Sequence, residues 1–171
     1  MSENNDKRLF LIDAYAMIFR GYYALIRSPR LTSSGKDTSA IFGFTNSLIE
    51  LIRREKPTHL AVVFDVGQAS VRTADFAEYK ANRSETPEAI KIAIPYIHRI
   101  LEAMHVPCLG LEGYEADDVI GTIACKAEKE GYQTFMVTPD KDFAQLVTPN
   151  IKIYKPGLKG AEFEILGVEE V

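Results

Sequence analysis

Cysteine and histidine are too scarce and too scattered in this sequence to build a site of their own. Cys108 and Cys125, with His59, His98 and His105, are spread over 171 residues. No CxxC pair and no Cys/His cluster has zinc-ligand spacing, which excludes a structural zinc site and makes a reducing compartment the default. The two cysteines read as small core residues, and His98 and His105 as a helix face and its exit. No Ser/His or Cys/His pairing points to a covalent nucleophile. No N-terminal apolar stretch resembles a signal peptide and no 18-residue apolar run could span a membrane, so the cytoplasm is the expected location. Internal repeats and low-complexity segments are missing too. Positive charge is not in excess: 20 basic residues face 24 acidic ones, a net charge of -4. That is the reverse of the basic footprint usual for a nucleic-acid binder.

What is present is enough for one compact domain. At 46% hydrophobic and 26% charged, a chain this long can bury a core without staples. Arg8–Ile12, His59–Phe64 and Gln133–Val137 are continuous apolar runs that predict strands buried on both faces, with weaker candidates at Val106–Leu109 and Ile151–Tyr154. Between them lie helical stripes: Ile41, Phe44, Leu48, Leu51 and Ile52, ended before Pro57; Ile90, Ile94, Ile97, Leu101 and Met104, kinked or split at Pro95; and Val119, Ile120, Ile123, Ala124 and Ala127, closed by Gly131. Strands alternating with helices predict an α/β fold whose mostly parallel central sheet carries helices on both faces. Ser28–Thr38 reads as a loop. Gly67–Glu88 is polar with no clear period, and reads either as an arch beside the site or as a mobile surface loop.

The acids are placed informatively. Asp13 ends the first strand, Asp65 the second, and Asp140 follows another by a few residues, with Asp142 just beyond. In a parallel sheet the strand C-termini share one edge, where ligands bind at the switch in strand order. Glu115, Asp117 and Asp118 crowd the start of the third helix; Glu115 and Asp118, three apart, can share a face. Singly, each has an ordinary explanation as a turn, cap or helix-dipole residue. Together, seven acids on one edge are costly. Two like charges about 4 Å apart repel by roughly 4 kcal/mol at an effective dielectric near 20. Oxygen-seeking Mg²⁺ or Mn²⁺ would relieve that repulsion, since no His or Cys joins the set. Setting these seven aside leaves 17 acids against 20 basic residues, so the remainder is mildly basic.

Four segments in order, LIDAYAMIFRGYYA, VVFDVGQASVRTADFAEYKANR, GYEADDVIGTIA and VTPDKDFAQLV, resemble the 5′-nuclease domain of bacterial DNA polymerase I, within the flap-endonuclease superfamily. The resemblance runs from about Arg8 to the last residue. It implies a PIN-like three-layer fold with an arch or gateway insertion. It also implies 5′-3′ exonuclease or flap endonuclease activity on DNA bearing a 5′ end or 5′ flap. Asp13, Asp65, Glu115 and Asp117 would serve a first metal ion, Asp140 and Asp142 a second, and Asp118 would support the cluster. Arg72 and the Tyr79–Arg83 segment would form the gateway, with Lys80 and Arg83 steering the scissile phosphate, and Arg20 would contact phosphate. Two ions about 3.5–4 Å apart activate a water and stabilise the departing 3′-oxygen, and Lys and Arg add electrostatic stabilisation. Family members continue into a helix–three-turn–helix segment with further aspartates and then polymerase domains. The chain therefore reads as one nuclease domain, residues 1–171, truncated before those parts, monomeric, with its second metal site short of a ligand.

Rivals fit less well. A haloacid-type phosphatase needs an acid where Tyr15 stands, and a P-loop around Gly35-Lys36 fails at Arg30 and Asp37. A PIN-class RNase lacks a reason for the YKANR segment. A module that grips a DNA end without cutting it is the strongest alternative from another class. Tyr15, Tyr22 and Tyr23 fit either base stacking or core packing.

Overall fold

The structure is a computed structural model that describes residues 7–66, 86–157 and 163–171. Its elements are β1 (Arg8–Asp13), α1 (Ala14–Ala24), α2 (Ser39–Glu55), β2 (His59–Val63), α3 (Glu88–Ala103), β3 (Cys108–Leu109), α4 (Ala116–Lys129), β4 (Gln133–Val137), a 3₁₀ helix (Lys141–Leu146), β5 (Ile151–Lys155) and β6 (Glu164–Leu166). One six-stranded sheet runs in the order β3-β2-β1-β4-β5-β6. All neighbours are parallel except the β5–β6 pair.

Alternation along the central strands sorts the core into two layers. Phe10 and Ile12 of β1, Val62 of β2 and Phe135 and Val137 of β4 pack against α1, α2 and α3. Leu11, Ala61, Val63 and Met136 point the other way, onto α4 and Phe143. Successive strand side chains face opposite sides, so continuous apolar runs are what a sheet covered on both faces requires. Each helix answers with one stripe: Phe44, Leu48 and Leu51 on α2, Ile90, Ala93, Ile97 and Leu101 on α3, and Ala116, Ile120, Ala124 and Ala127 on α4. Fully burying each larger side chain is worth about 1.5–3 kcal/mol.

Three expectations shift in detail. Helix α3 runs unbroken through Pro95, although proline cannot donate to the carbonyl a turn earlier; its buried stripe holds it in place. Helix α1, not expected from the sequence, follows β1 without a turn. Its buried residues Ala14, Met17, Ile18 and Gly21 include two that are too small to register as an apolar stripe. Cys108 and Cys125 are both exposed rather than core residues, Cys108 on the short β3 and Cys125 on α4. Among the described residues no helix is long and apolar enough to cross a membrane.

The ends of α4 and α2 match their signals. Beyond the C-cap Glu130, Gly131 takes φ +82 and Tyr132 N–H donates to the Ala127 carbonyl at 3.0 Å, a Schellman closure. Helix α2 stops at a left-handed Lys56 just before Pro57.

The crossing of α1 and α2 is unusually close. A Cβ on Gly43 would lie 2.5 Å from the Gly21 Cα, and one on Gly21 would lie 2.9 Å from Gly43 backbone atoms. Backbone on both sides leaves nothing flexible to yield. Gly43→Ala is therefore expected to destabilise the domain by about 1–3 kcal/mol through overpacking. The urea unfolding midpoint measures it, and an unchanged midpoint would show that the helices can separate freely.

Candidate metal centre

The C-terminal ends of β1, β2 and β4 lie level, with Asp13 opposite Val63 and Ile12 opposite Val137. Chain continuity then delivers an acid from each. Asp13 is both the end of β1 and the N-cap of α1, its Oδ1 accepting from Ala16 N–H at 3.2 Å. Asp65, two residues past β2, accepts from Ala116 N–H at 2.8 Å with its Oδ1, which ties the β2 exit to the first residue of α4. Asp140 caps the 3₁₀ helix, accepting from Asp142 N–H at 2.9 Å, while its own N–H donates to the buried Thr138 Oγ1 at 3.2 Å.

The start of α4 supplies the rest. Glu115 is its N-cap and Asp118 its third residue, and the pair form a capping box in which Glu115 N–H donates to Asp118 Oδ2 at 3.2 Å. Asp118 N–H in turn donates to Asp117 Oδ1 at 2.7 Å. At 8% exposure Glu115 is the one buried charged side chain among the described residues.

Asp13, Asp65, Glu115, Asp117, Asp118, Asp140 and Asp142 all line a single open cleft of about 720 Å³. The sequence reading placed these seven on one edge. The ordinary capping roles are real as well, and they coexist with the cluster.

The electrostatics are strained in one place. Burial pushes the Asp13 carboxyl up from 3.8 to about 6, against the lowering effect of the Ala16 N–H, and Asp65, Asp117 and Asp140 raise it further. The Tyr15 hydroxyl, raised chiefly by its own burial, is raised further by Asp65. The acids share a cleft without closing a cage: among the described residues no group of three or more His, Cys, Asp or Glu side chains forms a ready-made ion site. The donor chemistry nonetheless fits a hard divalent cation, being entirely carboxylate oxygen around an Asp13 that three neighbouring acids disfavour as an anion.

The family described as the 5′-3′ exonuclease N-terminal resolvase-like domain matches residues 8–171. The chain belongs to this family. Among relatives of the exonuclease domain, DNA polymerase I of Mycobacterium bovis is 42% identical over 148 residues, covering 86% of this chain and 16% of that protein. The 5′-3′ exonuclease of Aquifex aeolicus is 40% identical over 150 residues, covering 88% of this chain and 51% of its own length. The chain thus spans about half or less of these relatives. Among solved structures, T5 5′-exonuclease with bound zinc ions superposes with a TM-score of 0.64 at 19% identity, covering 92% of this chain and 58% of that one. The catalytic core of Rad2 with DNA substrate gives 0.55 at 20% identity, covering 96% and 48%. These structural likenesses show the shared PIN-like fold.

Other expected site residues fare differently. Arg72, Tyr79, Lys80 and Arg83 lie outside the described residues. Arg20 does not line the cleft; its guanidinium donates to the Gly157 carbonyl and is half-buried. Tyr15 and Tyr22 pack against the core, Tyr15 edge-on to Phe64 at 6.1 Å, whereas Tyr23 is half exposed. His98 stacks on Phe64 at 4.1 Å.

The sequence reading missed Thr122, Lys126, Lys129 and Gln145, which line the same cleft. Asp118, Thr122 and Lys126 recur every four residues, so a polar stripe was there to be found. Opposite it, a Cβ on Gly121 would meet Leu146 of the 3₁₀ helix at 3.0 Å.

The Asp13 shift has a consequence for pH. In the unfolded chain this carboxyl ionises near 3.8, while in the fold it keeps its proton to about 6. The folded state binds more protons in that interval, so stability falls as pH rises from about 4 to about 6 and levels off above. With chelator present, the stability read from urea unfolding should follow this trend by an amount on the order of 3 kcal/mol. Asp13→Asn, which keeps a capping oxygen, should flatten its share of the decline; parallel profiles for the two proteins would refute the shift.

Proposed function

We propose that this domain hydrolyses DNA phosphodiester bonds at a 5′ end or 5′ flap, as the nuclease module of a DNA polymerase I, using Mg²⁺ or Mn²⁺. The observation that carries this reading is the convergence of seven carboxylates, from strand ends and helix starts far apart in sequence, on one cleft. Family membership and the names of the relatives support it. A cytoplasmic monomer is part of the same reading, as is a domain reaching from the first residue to Val171.

In this scheme Asp13, Asp65, Glu115 and Asp117 would hold one ion and Asp140 and Asp142 the other. Bound divalent ions supply Lewis acidity at the phosphate and lower the pKa of a water. The chain's own contribution is position and charge. Asp65 is fixed by Ala116 N–H and Asp140 by Asp142 N–H, so their carboxylates need little reorganisation when a cation arrives. Asp118 braces the Glu115 backbone from within the cleft lining. Asp13, disfavoured as an anion by burial, would be favoured as an anion by a bound cation, so metal uptake would be coupled to proton release. Lys80 and Arg83 steer the phosphate, Arg72 and Tyr79 contribute to DNA binding, and Arg20 makes an outlying phosphate contact.

A labelled 5′-flap substrate with Mn²⁺ tests the proposal. Asp140→Asn should lower the cleavage rate by about 100-fold or more, since an electrostatic group at the reacting centre is lost. Mn²⁺ at a hundredfold excess over Kd should stabilise the parent by about 2.7 kcal/mol, and Asp13→Asn should remove most of that gain. Flap binding with no cleavage by the parent would make this a DNA-end binding module, and cleavage confined to RNA would make it a PIN-type RNase.

A further inference from the structure

The cleft has two poles. Its acidic end is the metal centre; its other end carries Lys126 and Lys129 of α4, with Gln145 across from them. Both lysines are exposed, and among the described residues neither makes an ion pair. Position in the last helical turn would favour them through the helix dipole whichever way they faced. Glu128, which lies between them in sequence, does not line the cleft; its Oε1 accepts from Thr148 Oγ1 at 2.5 Å.

A cleft lined only by carboxylates would repel a polyanion everywhere except at its ions. We propose that Lys126 and Lys129 bind backbone phosphates of the same DNA strand whose scissile phosphate enters the acidic end, an inference that rests on the nuclease reading above. Helix geometry sets the register. At 1.5 Å per residue, Lys126 and Lys129 lie about 12 and 16 Å along α4 from Asp118. A stacked strand rises about 3.4 Å per nucleotide, so the two ammonium groups meet phosphates about three to five nucleotides from the cut. The contact is to phosphate alone, because a point-charge ammonium carries no base code and no aromatic side chain accompanies it in the cleft beyond the buried Phe143.

The test measures binding of a fluorescent 5′-flap DNA to the 171-residue chain as a function of salt, with Mn²⁺, in an Asp140→Asn background that keeps the substrate intact. Lys126→Gln/Lys129→Gln, both exposed helix positions where glutamine is well tolerated, should flatten the slope of log Kobs against log salt by about 1.4, since each single-strand phosphate contact contributes about 0.7. Lys126→Arg/Lys129→Arg should keep the slope. Arg53→Gln/Lys56→Gln, an equal charge loss at the far end of α2, should leave it unchanged. An unchanged slope in the Lys→Gln pair, or an equal change in the Arg53/Lys56 control, overturns the inference. If Mn²⁺-dependent cleavage by the parent is meanwhile intact, the nuclease reading survives alone. A flattened slope in a chain that binds without cutting supports the phosphate contact and rejects the hydrolytic activity instead.

Discussion

The site depends on backbone N–H groups at the starts of helices. Asp13, Asp65, Asp118 and Asp140 each accept from a backbone N–H at or beside the first turn of α1, α4 or the 3₁₀ helix. Those donors have no partner within their own helices and carry the positive end of the helix dipole. Three helix starts therefore face one cleft and make a crowd of carboxylates tolerable before any cation is involved. The remaining strain is concentrated on Asp13, where burial outweighs its single hydrogen bond.

That arrangement requires the strand ends to be level and the helices to leave them abruptly. Parallel pairing of β1 with both β2 and β4 supplies the first condition. The second follows from Asp13 and Asp140, which end an extended segment and begin a helical one in the same residue. The contact between Gly21 and Gly43 then seats α1 against α2 at backbone distance, fixing the direction in which α1 leaves the acidic cleft.

Much of this was legible in the sequence, for identifiable reasons. The three central strands are long apolar runs because both faces of the sheet are covered, and an acid after such a run can only sit at the sheet edge. The capping residues carry their own signal, as at Glu115 and Asp118. Helix α1 was hidden because its core side uses alanine and glycine, whose value is close approach rather than hydrophobicity. The cysteines were misjudged because residue type predicts burial only on average, and Cys125 lines the open cleft while Ala124 and Ile120 fill the core side of the helix. The lysines of α4 were overlooked because a polar stripe on a helix is by default a solvated face; only the fold shows that this one borders the acids.

The contact between Gly121 and Leu146 gives the domain a spacer. Gly121 belongs to the helix that begins with Glu115 and Asp117, and Leu146 to the element that begins with Asp140 and Asp142. The gap between the two halves of the acidic lining is therefore gauged by a position that contributes no ligand and no charge. A single methyl group there would meet the Leu146 Cδ1 at 3.0 Å, and that side chain would have to give by a few tenths of an ångström. The packing of the two acidic banks against each other thus rests, at one remove, on the smallest side chain in the helix.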